Sequence, residues 1–141
     1  MTLRLFLDTA IVAYAVGGEH PHRAACRTII EAAARGQVEL HASVELVQEF
    51  CFHRLRRGSR QDAVTQARDV TALCVLHPVD QAIVEGMLDL IERTNLGGRD
   101  AVHAATAIRQ GFSSIVTPDP DFDAIPGLLR MGPTEAAAEC P

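Results

Sequence analysis

The sequence predicts one α/β domain: a short central parallel sheet sandwiched by helices. Three observations carry this. Short apolar runs that stop at polar residues alternate with longer stretches of helical period. The chain is 141 residues long, about the size of a single domain. No linker, repeat or low-complexity block divides it. Short strands alternating with helices argue a parallel sheet covered on both faces, because crossover helices must bury their apolar sides against it.

The elements follow in order. Leu3 to Leu7 is an apolar run that Asp8 ends, as expected for a buried strand. Thr9 to Val16 reads as one short helix, closed by Gly17-Gly18. His22 to Arg35 has helical period, with Gly36 suited to close it. Val38 to His41 is a second strand. Ser43 can cap a helix running to about Arg57, and Ser59 another to about Leu73, with Gly58 between them. The stripe of the first is read as Val44, Val47, Phe50 and Cys51, which turns Glu45 and Glu49 away from it. Val75 to His77 is strand-like. Val79, Ala82, Ile83, Met87, Leu90 and Ile91 then form an apolar stripe of period 3.6. After Gly97-Gly98, a helix from Asp100 to Gln110 carries Ala101, Ala104, Ala105 and Ile108 on one face. Ser114 to Val116 is a strand, and Leu128 to Met131 the last. Glu135 to Pro141 is expected to fray.

Composition narrows the chemistry. An apolar fraction of 48% excludes a largely disordered chain, and aromatics at 4% with no Trp imply an aliphatic, Ala-rich core. The net charge of −5 is not that of a typical nucleic-acid binder, although carboxylates that hold metal cations reconcile an acidic chain with a nuclease. All 13 basic residues are Arg. Without Lys and a Gly-rich loop there is no phosphate-loop triphosphatase. A receiver domain is excluded by the same missing Lys. A haloacid-dehalogenase-type phosphatase needs a second Asp where Ala10 stands. No nucleophile elbow supports Ser-His-Asp hydrolysis. Cys26, Cys51, Cys74 and Cys140 form no Cys-x-x-Cys pair, so zinc is not expected, and three of them read as small buried hydrophobes. No signal peptide or membrane span is visible, and a cytoplasmic location is expected.

In parallel α/β sheets, ligands sit beyond the carboxyl ends of the strands. Acidic residues collect there. Asp8 follows the first strand, Asp119 and Asp121 follow a late one, and Asp100 opens a helix after the Gly pair. Glu45 and Glu49 stand one turn apart on the helix after the second strand. Singly, each is an ordinary cap or turn residue. Jointly, carboxylates from remote segments would repel unless a divalent cation held them, and oxygen ligands suit Mg²⁺ or Mn²⁺.

These residues fall into ordered motifs: Phe6-Leu7-Asp8-Thr9, Ser43 with Glu49 six residues later, Arg99-Asp100-Ala101-Val102-His103-Ala104-Ala105-Thr106-Ala107, and Thr117-x-Asp119-x-Asp121-Phe122-Asp123. In that order and spacing the chain resembles a PIN-domain ribonuclease, specifically a VapC-type toxin of a toxin–antitoxin pair, over about residues 3 to 131. The resemblance implies a PIN-like domain over residues 1–134, the remainder being tail. It implies that Asp8, Glu49, Asp100 and Asp119 form an acidic quartet for Mg²⁺ or Mn²⁺, with Asp121 as a fifth, outer ligand. The Ser43 spacing selects Glu49 over Glu45, which geometry alone leaves open. Thr9, Ser43 and Thr117 match supporting hydroxyl positions. Ala10 departs from the pattern, since many relatives carry a larger or polar residue there.

The implied activity is metal-dependent endoribonuclease, leaving a 5′-phosphate and a 3′-hydroxyl. The implied partners are an RNA substrate, a VapB-type antitoxin and a second copy of the chain. A processing nuclease without antitoxin, or a non-catalytic PIN-like binding module, are the alternatives. Arg54, Arg56, Arg57 and Arg60 form the strongest basic cluster, with the first three read as an RNA track. No aromatic interleaves with them, so base stacking is not expected there. His103 lies one turn from Asp100 and reads as packing or as an auxiliary substrate contact. His20 and His22 lack a partner at ligand spacing. Tyr14 and Phe6 read as core.

Overall fold

The computed structural model describes residues 2–141. Five strands and seven helices follow one another as β1 Leu3–Phe6, α1 Thr9–Val16, α2 Arg23–Ala34, β2 Val38–Ser43, α3 Val44–Leu55, α4 Arg60–Leu73, β3 Cys74–His77, α5 Gln81–Arg93, α6 Gly98–Arg109, β4 Ser114–Val116, β5 Leu129–Met131 and α7 Pro133–Glu139. All strand pairing is parallel. β1 pairs with β2 from Leu3 opposite Val38 to Phe6 opposite His41, and β2 pairs with β3. β4 pairs with β5. The two ladders meet at one bridge, Leu7 with Val116, where the Asp8 N–H donates to the Val116 carbonyl at 3.0 Å. The spatial order is therefore β3-β2-β1-β4-β5, with β1 and β4 bridged at their carboxyl ends.

Period-two alternation divides the core. Leu5, Leu7, Leu40 and Ala42 face one side, with Ile11 and Val12 of α1, Ile29 of α2 and Leu46 and Phe50 of α3. Phe6 and Ile115 face the other, with Ile83 of α5, Ala101 and Ala104 of α6, and Phe122. The Ala faces let α6 pack closely: Gly86 of α5 stands where an added Cβ would meet the Ala105 Cβ at 3.5 Å.

Several expectations need correction. In α3 the buried positions are Leu46 and Phe50, and Val44 is exposed. Val47 and Cys51 pack against the core as the sequence suggests, so the stripe is shifted only at its start, where Leu46 replaces Val44, and Glu49 lies at its edge. In α6 and α5, Ile108 and Ile91 are exposed, since the Ala residues and Leu90 fill the contact instead. The C-terminal residues do not fray. Residues 133–139 form α7, which packs on α2 with Ala136 fully buried, and Glu135 accepts a hydrogen bond from the Gly132 N–H. The small side chains that suggest a tail are what allow this close seat.

Loop chemistry sets the strand ends. Asp8, Ser43, Ser59 and Asp80 each cap a helix through the side chain. Asp119 caps a single 3-10 turn, Pro120–Ala124, not foreseen as an element. The four cysteines are free, with Cys26 and Cys74 buried. No helix among the described residues is long and apolar enough to cross a membrane.

Candidate active site

The carboxyl ends of β1 and β4, together with α1 and the loop after it, α3 and α6, line a cleft of about 1450 Å³. Asp8, Glu49, Asp100 and Asp119 all line it. They come from four separate elements, so the topology collects them and no local spacing could. Arg54, Arg56 and Arg57 line the same cleft. The fold thus brings the acidic quartet and the basic cluster together.

Hydrogen bonds hold the acidic side chains from behind. Asp8 Oδ1 accepts from the Thr9 N–H at 2.7 Å, and Oδ2 accepts from the Thr117 hydroxyl at 2.8 Å. Thr117 Oγ1 in turn accepts from the Asp119 N–H at 3.1 Å. One buried hydroxyl therefore ties the ends of β1 and β4 where their pairing is a single bridge. Glu49 Oε1 accepts from the Thr9 hydroxyl at 3.1 Å and from His103 Nε2 at 3.1 Å. Thr9 Oγ1 also lies 3.1 Å from His103 Nε2. A carboxylate can only accept, so Nε2 carries the proton of that pair. His103 is 1% exposed, and among the described residues its Nδ1 has no partner.

Electrostatics distinguish the carboxyls. Burial pushes the Asp100 carboxyl up to about 6, with the charges of Asp8 and Asp119 adding to the rise. Burial also raises Asp8, against the pull of His103 and the Thr117 hydrogen bond. For Glu49 desolvation is the largest single influence and pushes upward. The hydrogen bonds from His103 and Thr9 and the Arg99 charge together outweigh it, so its carboxyl lies below the usual range. Among the described residues, no three His, Cys, Asp or Glu side chains close on one point at ligand distance. The quartet rings the cleft floor as an open, oxygen-only donor set, with members that resist ionising side by side. That chemistry fits a hard divalent cation that keeps some of its waters.

Other expected residues fall differently. Asp121 is exposed and does not line the cleft, because the 3-10 turn directs it outward while its N–H donates to Asp119 Oδ1 at 2.9 Å. Ser43 is fully buried and its hydroxyl accepts from the Glu45 N–H at 3.1 Å, so it starts α3 without touching the quartet. Glu45 is exposed. Arg60 begins α4 and lies off the cleft. Phe6 is buried, and Tyr14, half-buried, packs against the core while it also lines the cleft. The expectation of no aromatic beside the arginines fails: Phe52 is 46% exposed on the cleft, with the Arg56 and Arg99 guanidiniums 5.6 and 5.8 Å from its ring centre. Phe52 stands one turn before Arg56, a signal the sequence carries. Arg99 has no such signal, because its aromatic partner lies on another helix.

The PIN domain family model matches residues 5–128. Ribonuclease VapC7 of Mycobacterium tuberculosis is 34% identical over 135 residues, which cover 94% of this chain and 93% of that protein. The chain belongs to the PIN-domain family, and the curated relatives that match it are VapC ribonucleases. Among solved structures, the chain is similar to one from VapBC2 of Rickettsia felis bound to promoter DNA, with a TM-score of 0.72 at 16% identity, covering 92% of this chain and 98% of that one. It is also similar to Mycobacterium tuberculosis VapC20, described as a sarcin-ricin loop cleaving toxin, with a TM-score of 0.70 at 18% identity over 85% of this chain and 93% of that one.

Proposed function

We propose that the cleft is the active site of a divalent-metal-dependent endoribonuclease, and that the protein is the toxin of a toxin–antitoxin pair. The observation that carries this reading is the meeting of four carboxylates from remote segments on one cleft floor beneath an arginine-lined wall. The VapC names of its relatives, and the toxin–antitoxin complexes among its structural neighbours, support it.

Asp8, Glu49, Asp100 and Asp119 would hold Mg²⁺ or Mn²⁺. When bound, such a cation supplies a water of lowered pKa and charge to balance an in-line phosphoryl displacement. Divalent-metal dependence is general among PIN-domain VapC nucleases. The chain's own residues do the positioning. Thr9 and His103 both engage Glu49 Oε1, which leaves Oε2 for the cation. Asp8 is held through both oxygens, Oδ1 by the Thr9 N–H and Oδ2 by the Thr117 hydroxyl, each with a lone pair left over. Asp100, whose carboxyl burial raises to about 6, would be held ionised by a bound cation. Arg54, Arg56, Arg57 and Arg99 neutralise the phosphates flanking the scissile one, a role suited to guanidiniums because they pair with phosphate in a planar fork.

The proposed protein partners are a VapB-type antitoxin that inhibits by occupying the cleft and a second copy of this chain. Val84, Leu88 and Ile91, exposed along α5, offer apolar surface consistent with association. Light scattering at a series of concentrations tests the homodimer.

The deciding experiment is RNA cleavage with Mn²⁺ or Mg²⁺, with end-group analysis of the products. Wild-type protein should cut and leave 5′-phosphates, and Asp100→Asn should not. Wild-type rates in the Asp100→Asn protein would remove the site assignment.

A further inference from the structure

Part of the cleft lining is a cluster of aromatic rings, Tyr14, His20 and His22. Tyr14 projects from α1, and the loop after α1 folds back over it. The His20 ring stacks on Tyr14 with centres 4.1 Å apart and planes 17° from parallel. His22 leans against both, 5.6 Å from Tyr14 and 5.3 Å from His20. The stack is held and not merely adjacent: the His22 N–H donates to His20 Nδ1 at 3.2 Å, which fixes the imidazole. His20 is exposed, and all three rings line the same cleft as the carboxylates. Tyr14 packs in part against the core, and His20 lies over its ring as the exposed member of the pair.

We propose that Tyr14 and His20 form a stacking subsite for one nucleobase of a single-stranded RNA, next to the scissile phosphate. The inference rests on the ribonuclease reading above and adds what part of the substrate the cleft reads. The spacing supports it. Asp8 caps α1 and Tyr14 lies five residues after Thr9 on the same helix, about 7.5 Å along its axis. A nucleotide whose phosphate sits at the carboxylates reaches that far with its base. Between the two, the cleft face of α1 is only Ala10 and Ala13, so nothing blocks the path. The Ala10 that departs from the family pattern gives this clearance. Charge divides the work. Arg54, Arg56, Arg57 and Arg99 of the cleft take the backbone phosphates, and the Tyr14 and His20 rings take the base. An A-form duplex keeps its bases stacked inside, and only an unpaired base can turn onto a protein ring.

The test compares affinities of the Asp100→Asn protein, which should hold RNA uncut, for a short single-stranded RNA and an abasic ribose-phosphate oligomer of equal length at one salt concentration. Base–aromatic stacking predicts that His20→Ala, made in that background, lowers the preference for the base-containing oligomer by roughly five- to a hundredfold. His20→Phe should retain the preference. Tyr14→Ala should act like His20→Ala, but Tyr14 is half-buried, so the substitution at exposed His20 is the decisive one. A preference unmoved by His20→Ala overturns the subsite, and so does an equal loss for both oligomers, which would mark a backbone or structural role. Weakened antitoxin binding with the base preference unmoved would assign the wall to a protein and also overturn it. Failure of the underlying reading shows separately: wild-type protein with Mn²⁺ then leaves the same RNA intact, and the subsite falls with it.

Discussion

His103 Nε2 lies 3.1 Å from Glu49 Oε1, joining α6 to α3 across 54 residues of sequence. The contact holds the one Glu of the quartet, whose side chain has one more rotatable bond than those of Asp8, Asp100 and Asp119. Because Thr9 donates to the same oxygen, Glu49 is restrained from two directions. Removing either donor frees the carboxylate to rotate and lets its affinity for protons return toward that of an ordinary Glu.

The first prediction follows from that contact. His103→Leu should weaken Mn²⁺ binding roughly tenfold to a hundredfold, the usual cost of losing an outer hydrogen bond to a metal ligand. The orphaned Nδ1 means that the apolar replacement removes an unsatisfied atom, so the folded state should lose little stability. Calorimetric Mn²⁺ titration and thermal melting, run in parallel, separate the two effects. Unchanged Mn²⁺ affinity would show that Thr9 alone suffices.

Glu45 and Glu49 give a paired test. Glu49→Gln should weaken Mn²⁺ binding strongly, and Glu45→Gln little, because Glu45 points to solvent. Equal losses in the two titrations would mean that the cation sits nearer the start of α3 than the cleft geometry implies.

Asp100 links pH to stability. Its ordinary value of 3.8 is raised to about 6 in the folded protein, chiefly by burial and then by Asp8 and Asp119. Between these values the folded state holds more protons than the unfolded one, so stability of the metal-free protein falls as pH rises from about 4 through 6. Unscreened, this rise would amount to roughly 3 kcal/mol. Since the carboxyl is half-exposed, on the order of 1 kcal/mol is expected. Asp100→Asn should remove this slope and melt a few degrees higher at neutral pH without metal. Denaturant titrations in chelator at pH 4, 5, 6 and 7 check the sign; a wild-type stability that climbs over this window contradicts it.

Much of this arrangement is legible in the residues alone, and the part that is not has a common cause. Asp8, Asp100 and Asp119 stand at strand ends or helix starts, positions fixed by local chain direction, so their convergence follows from the parallel sheet. Ser43 as a cap and Thr9 to Val16 as a helix are local too. What escapes the sequence depends on how helices are rotated and crossed. Periodicity alone puts Val44 on the α3 stripe, but its exposure depends on neighbours, and the structure buries Leu46 instead. The His103–Glu49 contact, the Arg99–Phe52 approach and the stack of His20 on Tyr14 each join side chains whose meeting no periodicity encodes. The α7 seat on α2 is hidden because Ala and Gly signal a loose tail and a close helix contact equally well.

Thr117 tests the seam between the ladders. Its hydroxyl donates to Asp8 and accepts from the Asp119 N–H, and it is fully buried. Thr117→Val keeps the shape and strands both groups. The expected loss is about 1–3 kcal/mol, the cost of a buried polar group left without its partner. Asp8, already raised by burial, should rise further without this hydrogen bond, so Mn²⁺ binding should weaken more at pH 6 than at pH 8. Chemical denaturation and Mn²⁺ titrations at the two pH values measure the pair; an equal loss at both would separate Thr117 from the ionisation of Asp8.

The arginine wall gives the last prediction. Each phosphate contact releases counterions and contributes about one unit to the slope of log affinity against log salt. Arg56 and Arg57 line the cleft and are exposed, Arg56 over the Phe52 ring and Arg57 donating to His53 Nδ1 at 2.9 Å. Replacing both with Ala should weaken binding of every RNA alike and flatten the salt slope by up to about two. Mn²⁺ affinity should change little. Both residues lie roughly two turns beyond Glu49, about 11 Å along the α3 axis, and charges at about a Debye length across solvent are largely screened. Arg99 differs, because its charge already acts on Glu49. Arg99→Ala should therefore weaken both RNA and Mn²⁺ binding, the latter because Glu49 would take up protons more readily. Filter binding across a salt series and Mn²⁺ calorimetry distinguish the two variants. If the Arg56/Arg57 double variant instead loses Mn²⁺ and keeps its RNA slope, those arginines support the end of α3 and the phosphate path runs along another wall of the cleft.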